Sequence, residues 1–222
     1  LRGASKREKG DLDGAITDYT HAIRLRPTSA DAWSNRGIVR VEKGDLDGAF
    51  ADYLRAIKLN PELMEAWVNC GGVRMDKGDL DGAIADYNRA LEIDPKNSNN
   101  WNCRGVAWER KGDIDRAFID FTRSLELDPG NIDAWYGRGT LRKGKRDFEG
   151  SIKDYTQVIN PRQYLRLQGY LQDAEAKGAR LLPINPANED LSDSRILPPT
   201  LILNVSDEKT RPDPCRSMVL TD

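Results

Sequence analysis

The fold is decided by a stretch that this chain repeats, KGDLDGAIADY at residues 77–87. Close copies of it begin at Lys9, Lys43 and Lys111, so that successive copies lie 34 residues apart. A fifth, weaker copy runs from residue 147 to residue 155. Repetition at this spacing indicates an array of identical supersecondary units, in which each unit packs only on its neighbours.

A tryptophan followed four positions later by a glycine repeats with the same period, at Trp33/Gly37, Trp67/Gly71, Trp101/Gly105 and Trp135/Gly139. If the unit at residues 30–63 is numbered 1 to 34, positions 4, 8 and 11 form one helical stripe and positions 20, 24 and 27 form another. Each unit is therefore predicted to be a pair of amphipathic helices. Gly44 is expected to end the first helix in a left-handed conformation, and the Asp45 side chain to cap the second.

Composition excludes several classes of function. The net charge of the 222 residues is −2, which does not favour nucleic acid or an anionic membrane as a partner, and no run of 18 apolar residues could span a bilayer. His21 is the single histidine, and no nucleophile with an adjacent base can be assembled. We therefore expect no enzyme activity, no catalytic residue, no metal and no cofactor. Three cysteines, Cys70, Cys103 and Cys215, give no disulfide framework and favour a reducing, cytoplasmic compartment.

The acidic turns between the helices, such as Asp45 and Asp47, allow a calcium hypothesis because they match part of an EF-hand loop. A complete loop also needs an oxygen ligand at its fifth position and a glutamate at its twelfth. Counted from Asp45, those positions hold Ala49 and Ala56. Helix capping is the better interpretation of these aspartates.

One unit carries Trp33, Gly37, Ala49, Tyr53, Ala56 and Pro61 at fixed positions. This set resembles the tetratricopeptide repeat, and the resemblance covers roughly residues 1–160. It implies an all-α fold, a right-handed superhelical solenoid of antiparallel helix pairs, and binding of peptides or proteins in a concave groove. The matching structural residues in the later units are Trp67, Gly71, Ala83, Tyr87, Pro95, Trp101, Gly105, Ala117, Phe121, Pro129, Trp135 and Gly139.

Three segments are expected. Residues 1–160 form the array, with a truncated first repeat and four more, although Arg146 stands where the fifth repeat should have its turn glycine. Residues 161–182 are predicted to be a C-terminal capping helix, because a terminal repeat leaves an apolar face uncovered. Residues 183–222 hold six of the eleven prolines and are predicted to be a disordered tail.

The resemblance places the concave groove at positions 2, 5, 9 and 12 of the first helices. The residues at these positions differ from repeat to repeat, whereas those at the packing positions stay the same. A variable surface on a constant scaffold is what partner-specific binding requires. The predicted partner-binding residues, called here the concave set, are Ser34, Ile38, Val41, Glu65, Val68, Met75, Asn102, Val106, Glu109, Tyr136, Thr140 and Lys143.

Arginine departs from the family pattern at position 7 or 11 of the first helices. Position 23, on the second helix, is always aspartate, so an arginine and an aspartate are predicted to pair across each helix pair: Arg36 with Asp52, Arg74 with Asp86 and Arg104 with Asp120. Arg2 stands at position 7 of the first repeat, and the same rule predicts that it pairs with Asp18. The alternative is a basic stripe that binds anionic ligands.

The leading hypothesis is a non-enzymatic adaptor that binds a peptide or helix of a partner protein by apolar contact with acidic steering. The alternative is a regulatory or assembly domain of a larger protein, an enzyme included. RNA binding is disfavoured because the groove is not basic. A clamp for the carboxylate terminus of chaperones is also disfavoured, because Asn35 and Asn69 match it while Ser34 and Ile38 replace its lysine and asparagine. The sequence leaves the partner's identity and the oligomeric state open.

Overall fold

The computed structural model describes residues 2–158, and these residues form ten α-helices and no strand. The helices are α1 Arg2–Glu8, α2 Leu12–Leu25, α3 Ala30–Glu42, α4 Leu46–Leu59, α5 Met64–Asp76, α6 Leu80–Ile93, α7 Ser98–Lys111, α8 Ile114–Leu127, α9 Ile132–Gly144 and α10 Phe148–Val158. They pair in chain order into five repeats, so α3 and α4 form the second repeat and α5 and α6 form the third. The predicted all-α solenoid of helix pairs is confirmed.

The turn inside each repeat follows the predicted chemistry. Gly44 has φ +85°, a left-handed conformation that glycine adopts without steric cost. Asp45 then caps α4, since its Oδ1 accepts a hydrogen bond of 2.9 Å from the backbone N–H of Gly48. In the fifth repeat Arg146 adopts the same conformation with φ +63°. This conformation is energetically unfavourable for a residue that has a Cβ.

The two helices of a repeat approach closely because small residues lie between them. Ala49 is fully buried, and a Cβ at Gly37 would lie only 2.7 Å from the ring of Tyr53. Position 24 is filled in the same way by Tyr87 and Phe121. The second, third and fourth repeats therefore each close on a buried aromatic ring, whereas Tyr19 and Tyr155 at the same position are half-buried.

The position-4 tryptophans are half-buried. Trp33, Trp67, Trp101 and Trp135 lie at the edge of the packed interior, and each indole N–H donates to the carbonyl of the proline six residues earlier, at 2.8–3.0 Å. Each indole thus lies at a half-exposed edge with its N–H satisfied by a carbonyl, and this bond joins the repeat to the loop before it.

The predicted capping helix at residues 161–182 and the predicted disordered tail at residues 183–222 lie outside the described residues. Both stay predictions. Within residues 2–158, no helix has the length and apolar character that crossing a membrane demands.

Candidate interaction site

Five members of the concave set are buried rather than accessible to a partner. Ser34, Ile38, Val68, Met75 and Asn102 all lie in the interior, and Val68 is 0% exposed. The prediction that these five line an open groove is wrong. A partner could reach them only after a structural rearrangement.

The cause of this burial is the next repeat. Val68 and Met75 of α5 belong to one core cluster with Cys103 and Ala107 of α7. The first helices of consecutive repeats thus lie side by side, and the later helix covers position 5 of the earlier one. Tyr136 stands at the same position in the fifth repeat and is only half-buried.

The accessible part of the concave set comprises seven residues: Val41, Glu65, Val106, Glu109, Tyr136, Thr140 and Lys143. Lys143 is exposed and the other six are half-buried. All but Val41 and Glu65 lie on α7 or α9, so the usable concave surface is concentrated there.

On α9, Tyr136 and Thr140 are held by the second helix of the same repeat. The rings of Tyr136 and Tyr155 lie 5.7 Å apart between centroids, within the range of favourable aromatic contact. The Thr140 hydroxyl oxygen lies 3.1 Å from the Tyr155 hydroxyl and 3.0 Å from the Tyr136 carbonyl. This part of the surface is therefore a fixed element rather than a set of free side chains.

The predicted arginine–aspartate pairs form a buried seam between the two helices of each repeat. Arg36 donates to both carboxylate oxygens of Asp52, from Nε at 2.8 Å and from Nη2 at 2.7 Å. Arg40 adds a third contact, since its Nη1 lies 2.9 Å from Oδ2 of Asp52. Asp52 is 1% exposed, so its charge is balanced almost entirely by these two arginines.

The fourth and fifth repeats have the same seam. Arg104 makes the two-pronged contact with Asp120 at 2.7 and 2.8 Å, and Arg138 makes it with Asp154 at 3.0 and 2.8 Å. The pairing prediction is confirmed. A basic stripe for anionic ligands loses its support, because these guanidinium groups are already matched by carboxylates.

The first repeat departs from the prediction for Arg2. Asp18 pairs with Lys6 of position 11, with Nζ 2.9 Å from Oδ2, and Arg2 is exposed. Lysine at position 11 reaches the carboxylate that arginine at position 7 reaches elsewhere.

A third member of the seam, not predicted from the sequence, comes from position 25 of the preceding repeat. Arg36 Nη1 donates to Thr20 Oγ1 at 3.0 Å, and Arg104 Nη1 donates to Asn88 Oδ1 at 2.7 Å. Arg138 makes the corresponding bond with Thr122 at 3.4 Å. Each of these arginines therefore also joins two repeats. The sequence carries a signal for this bond, because arginine at position 7 occurs where position 25 of the preceding repeat is Thr20, Asn88 or Thr122.

The junction between the second and third repeats breaks this pattern at both positions. Position 7 of the third repeat is Cys70, which is buried, and position 25 of the second repeat is Leu54, which is 42% exposed. Burial raises the pKa of the Cys70 thiol. This junction has no inter-repeat hydrogen bond from a position-7 side chain.

The third repeat keeps only a weaker charge contact in its seam. Arg74 Nε lies 3.0 Å from Asp86 Oδ2, yet neither atom makes a hydrogen bond. A second contact joins Arg74 to Asp79 at 2.9 Å. Burial raises the pKa of Asp86 and outweighs the lowering by the Cys70 thiol and by Arg74.

A further set of ion pairs, called here the edge pairs, joins consecutive repeats at the surface. In each one, the lysine of position 14 binds the aspartate of position 18 one repeat earlier. The edge pairs are Lys43–Asp13, Lys77–Asp47, Lys111–Asp81 and Lys145–Asp115. The hydrogen bonds from Lys77 and Lys145 lower the pKa of Asp47 and Asp115.

The same lysines and arginines lie over aromatic rings at position 21. The charged groups of Arg74 and Lys77 are 5.3 and 5.5 Å from the ring centre of Phe50, and those of Arg142 and Lys145 are 5.7 and 5.8 Å from Phe118. At these two junctions the later repeat thus covers position 21 of its predecessor with long cationic side chains, whose stems shield the apolar surface.

No group of three or more histidine, cysteine, aspartate or glutamate side chains that could hold a metal ion occurs between residues 2 and 158. The acidic turns cap helices instead, as Asp79 does through the backbone N–H of Gly82. The arrangement of this region is that of a scaffold with an interaction surface.

Solved structures share this architecture of stacked helix pairs. The chain aligns with MamA at a TM-score of 0.65 and 21% identity, over 80% of this chain and 97% of that one. PilF of Pseudomonas aeruginosa gives a TM-score of 0.67 and 18% identity, over 79% and 84%. YrrB, described as a TPR protein with an unusual peptide-binding site, gives 0.59 and 22%, over 75% and 88%. At these identities the likeness establishes the fold.

Family models settle the membership. Models of the TPR repeat match residues 3–41 and 71–112, and models of the tetratricopeptide repeat match residues 30–63 and 98–131. The chain belongs to the tetratricopeptide repeat family, whose arrays act as protein-interaction scaffolds.

A different similarity concerns a short segment. The chain is 60% identical over 53 residues to coniferyl aldehyde dehydrogenase of Pseudomonas sp. (strain HR199 / DSM 7063), and 56% identical over 53 residues to a probable coniferyl aldehyde dehydrogenase of Caulobacter vibrioides. The match spans 23% of this chain but only 11% of either dehydrogenase. Nine tenths of the enzyme therefore has no counterpart in it.

Proposed function

We propose that the concave surface formed by α7 and α9 binds a peptide or a helix of a partner protein. The observation that supports this most directly is a contrast between two kinds of position. Packing positions repeat almost unchanged, whereas the accessible concave positions change from Val106 to Thr140 and from Glu109 to Lys143. Because the residues at the concave positions vary while the packing positions stay constant, the concave surface of this array has a chemistry specific to this chain.

The α7 side of this surface favours a partner with an apolar side chain beside a cationic one. Val106 and the Tyr136 ring offer half-exposed apolar area, and Glu109 lies on the same helix as Val106. Glu65 adds a second carboxylate on α5. An apolar centre with charge at its rim is the usual anatomy of a specific interface. The peptide-binding site described for YrrB is a precedent in the same fold.

The test is a selection from a peptide display library on the immobilised full chain, followed by measurement of dissociation constants for the selected peptides. Tyr136→Ala and Glu109→Lys are each expected to weaken binding by about tenfold or more. The matched control is Glu62→Lys, which makes the same charge change at an exposed loop residue. Peptides whose affinity is unchanged by both concave variants, with the helical spectrum intact, would place binding on another surface.

Val68→Glu does not serve in this test, because it would force a carboxylate into a fully buried site and unfold the repeat. The cytoplasmic location remains a prediction. The expectation that nucleic acid is not a partner also remains a prediction. The short dehydrogenase match does not lead to a second candidate function, since 11% of an enzyme carries no complete active site.

A further inference from the structure

The solvent-facing side of α4 carries four exposed residues, Ala51, Leu54, Arg55 and Lys58. Their spacing of three and four residues places them on one side of the helix, and together they are called here the α4 face. They stand at positions 22, 25, 26 and 29 of the second repeat. The second helices α6 and α8 offer a direct comparison, because they carry the same four positions in the third and fourth repeats.

Position 25 is polar and hydrogen-bonded on both of the compared helices. Asn88 of α6 and Thr122 of α8 each accept a bond from the position-7 arginine of the following repeat. On α4 this position is Leu54, which is 42% exposed, and position 7 of the following repeat is the buried Cys70. The α4 face therefore presents an apolar side chain to water where the other two helices have a side chain that is used inside the array.

Positions 26 and 29 differ in how their charges are matched. On α6 and α8 the arginine of position 26 forms an ion pair with the glutamate of position 29: Arg89 with Glu92, and Arg123 with Glu126. On α4 both positions hold cations, Arg55 and Lys58. Within residues 2–158 neither of them pairs with a carboxylate, and the Arg55 guanidinium lies 5.9 Å from the ring centre of Trp33. The α4 face therefore carries two positive charges that the array does not balance.

The same substitutions weaken the array at this place. With Leu54 at position 25 and Cys70 at position 7, the junction between the second and third repeats lacks the inter-repeat hydrogen bond that the other three junctions have. A single exposed leucine is ordinary on a protein surface. Here it coincides with two unbalanced cations on the same helix face and with a missing bond, and departures from a local structural rule are expected at functional sites.

We propose that the α4 face is a docking surface for a segment of a partner protein in which carboxylates flank an apolar side chain. Leu54 contacts the apolar side chain, and Arg55 and Lys58 bind the carboxylates, to which a guanidinium can donate two parallel bonds. Charge complementarity selects an acidic segment over a basic one. Two cations on a chain of net charge −2 are too few to hold a polyanion such as nucleic acid.

This docking surface is separate from the concave one. The concave set lies on the first helices of the repeats, whereas α4 is a second helix. The proposal therefore does not depend on what the concave surface binds, and a partner on one surface leaves the other accessible.

The test begins with a selection from a multivalent peptide display library on the immobilised full chain. The chain carries Tyr136→Ala and Glu109→Lys, so that binding at the concave surface is suppressed. The enriched peptides are expected to contain an apolar residue next to aspartate or glutamate, with dissociation constants on the order of 10–100 µM because the contact is small. A selection that enriches no peptide of this kind overturns the proposal.

Two single variants then locate the contact. Leu54→Thr introduces the residue that Thr122 provides at the same position, so the helical spectrum should be unchanged, and the enriched peptides should bind about tenfold more weakly. Its matched control is Ile119→Thr on α8, which removes another exposed apolar side chain and should leave the affinity unchanged. Lys58→Glu should also weaken binding about tenfold, whereas Lys96→Glu, at an exposed loop residue, should not. Peptides that bind equally well to Leu54→Thr and Lys58→Glu would contradict the proposed site.

A reciprocal exchange of charge tests the pairing itself. The chain with Arg55→Glu and Lys58→Glu should lose the acidic peptides and gain peptides in which lysines replace the carboxylates, which the unmodified chain should not bind. An unfolded variant could not gain such an affinity. If the exchanged peptides bind neither chain, the charges do not pair and the proposal is wrong. It is also wrong if the α4 face binds vesicles of phosphatidylcholine and phosphatidylserine while no acidic peptide is enriched, since the surface would then be a lipid contact.

Discussion

The second and third repeats are the same type of helix pair, but the arginine–aspartate contacts in their seams differ. In the second repeat, Asp52 receives two aligned bonds from Arg36 and a third contact from Arg40. In the third repeat, Asp86 has one charge contact with Arg74 that lacks hydrogen-bond geometry. The fold thus needs an aspartate with a cation across the pair, but it tolerates wide variation in how tightly they bond.

The difference extends to the joint between repeats. Arg36 reaches back to Thr20 of the first repeat, whereas Cys70 faces a second repeat whose position 25 is Leu54. Since stability of such an array is close to a sum of repeat and neighbour terms, we expect the junction between the second and third repeats to open first under stress. Four predictions test this contrast, in order of decreasing effect.

The largest expected effect is that of removing the two aspartates. Asp52→Ala strands Arg36 in a buried site and should lower the free energy of unfolding by about 3–5 kcal/mol. Asp86→Ala should cost only about 1–2 kcal/mol, because Arg74 is more exposed and keeps its contact with Asp79. Urea unfolding of both variants measures the difference.

A control for this prediction is the double variant Arg36→Leu with Asp52→Ala, which should recover much of the loss because it removes the stranded charge. Equal costs for Asp52→Ala and Asp86→Ala would show that the number of bonds in the seam does not set its strength.

The second prediction compares tryptophans at the same position. Trp101 stacks on the Arg104 guanidinium, whose central carbon lies 4.7 Å from the ring centre. Trp67 has no position-7 arginine, and the guanidinium over it, that of Arg89, is more distant at 5.8 Å. Because both indoles are half-buried, Trp67→Ala should cost about 2 kcal/mol and Trp101→Ala about 3 kcal/mol. Thermal melting of the two variants gives the ranking, and a larger loss for Trp67→Ala would contradict it.

The third prediction transfers the missing seam into the third repeat. Cys70→Arg combined with Leu54→Thr recreates the arrangement of Arg36 and Thr20. The two substitutions should be coupled by about 1 kcal/mol in a double-mutant cycle, because the arginine has a partner one repeat back only when both are present. Additive effects would mean that position 25 contributes nothing to the joint.

The smallest effect concerns the edge pair Lys77–Asp47, which the second and third repeats share despite their different seams. The pKa of Asp47 is lowered by its hydrogen bond to Lys77, so the pair stabilises the fold above the ordinary aspartate pKa and loses that effect as the pH falls through the lowered value. In Lys77→Gln, the Asp47 titration followed by NMR should move upward. No measurable change in unfolding is expected for such an exposed pair.

Several features were predictable because they depend on one repeat alone. Glycine and aspartate at a turn determine the end of one helix and the start of the next, and an arginine opposite an invariant aspartate determines the seam. The burial of Val68 was not predictable from its own repeat, because the covering helix belongs to the next one.

The exchange of Arg2 for Lys6 is a second kind of failure. Both are cations at the two positions that can face Asp18, and the structure pairs Asp18 with Lys6. The role of Thr20 was missed because its partner lies 16 residues away, in a different repeat.

The indole–carbonyl bond at each proline loop gives this array a set of built-in optical reporters. Trp33, Trp67, Trp101 and Trp135 are half-buried at the same position of the repeat, one for each repeat after the first. With Trp108 replaced, a series of chains that each retain one of these indoles would report by fluorescence which joint loosens at a given denaturant concentration. The order in which the array comes apart could then be followed without attaching a dye.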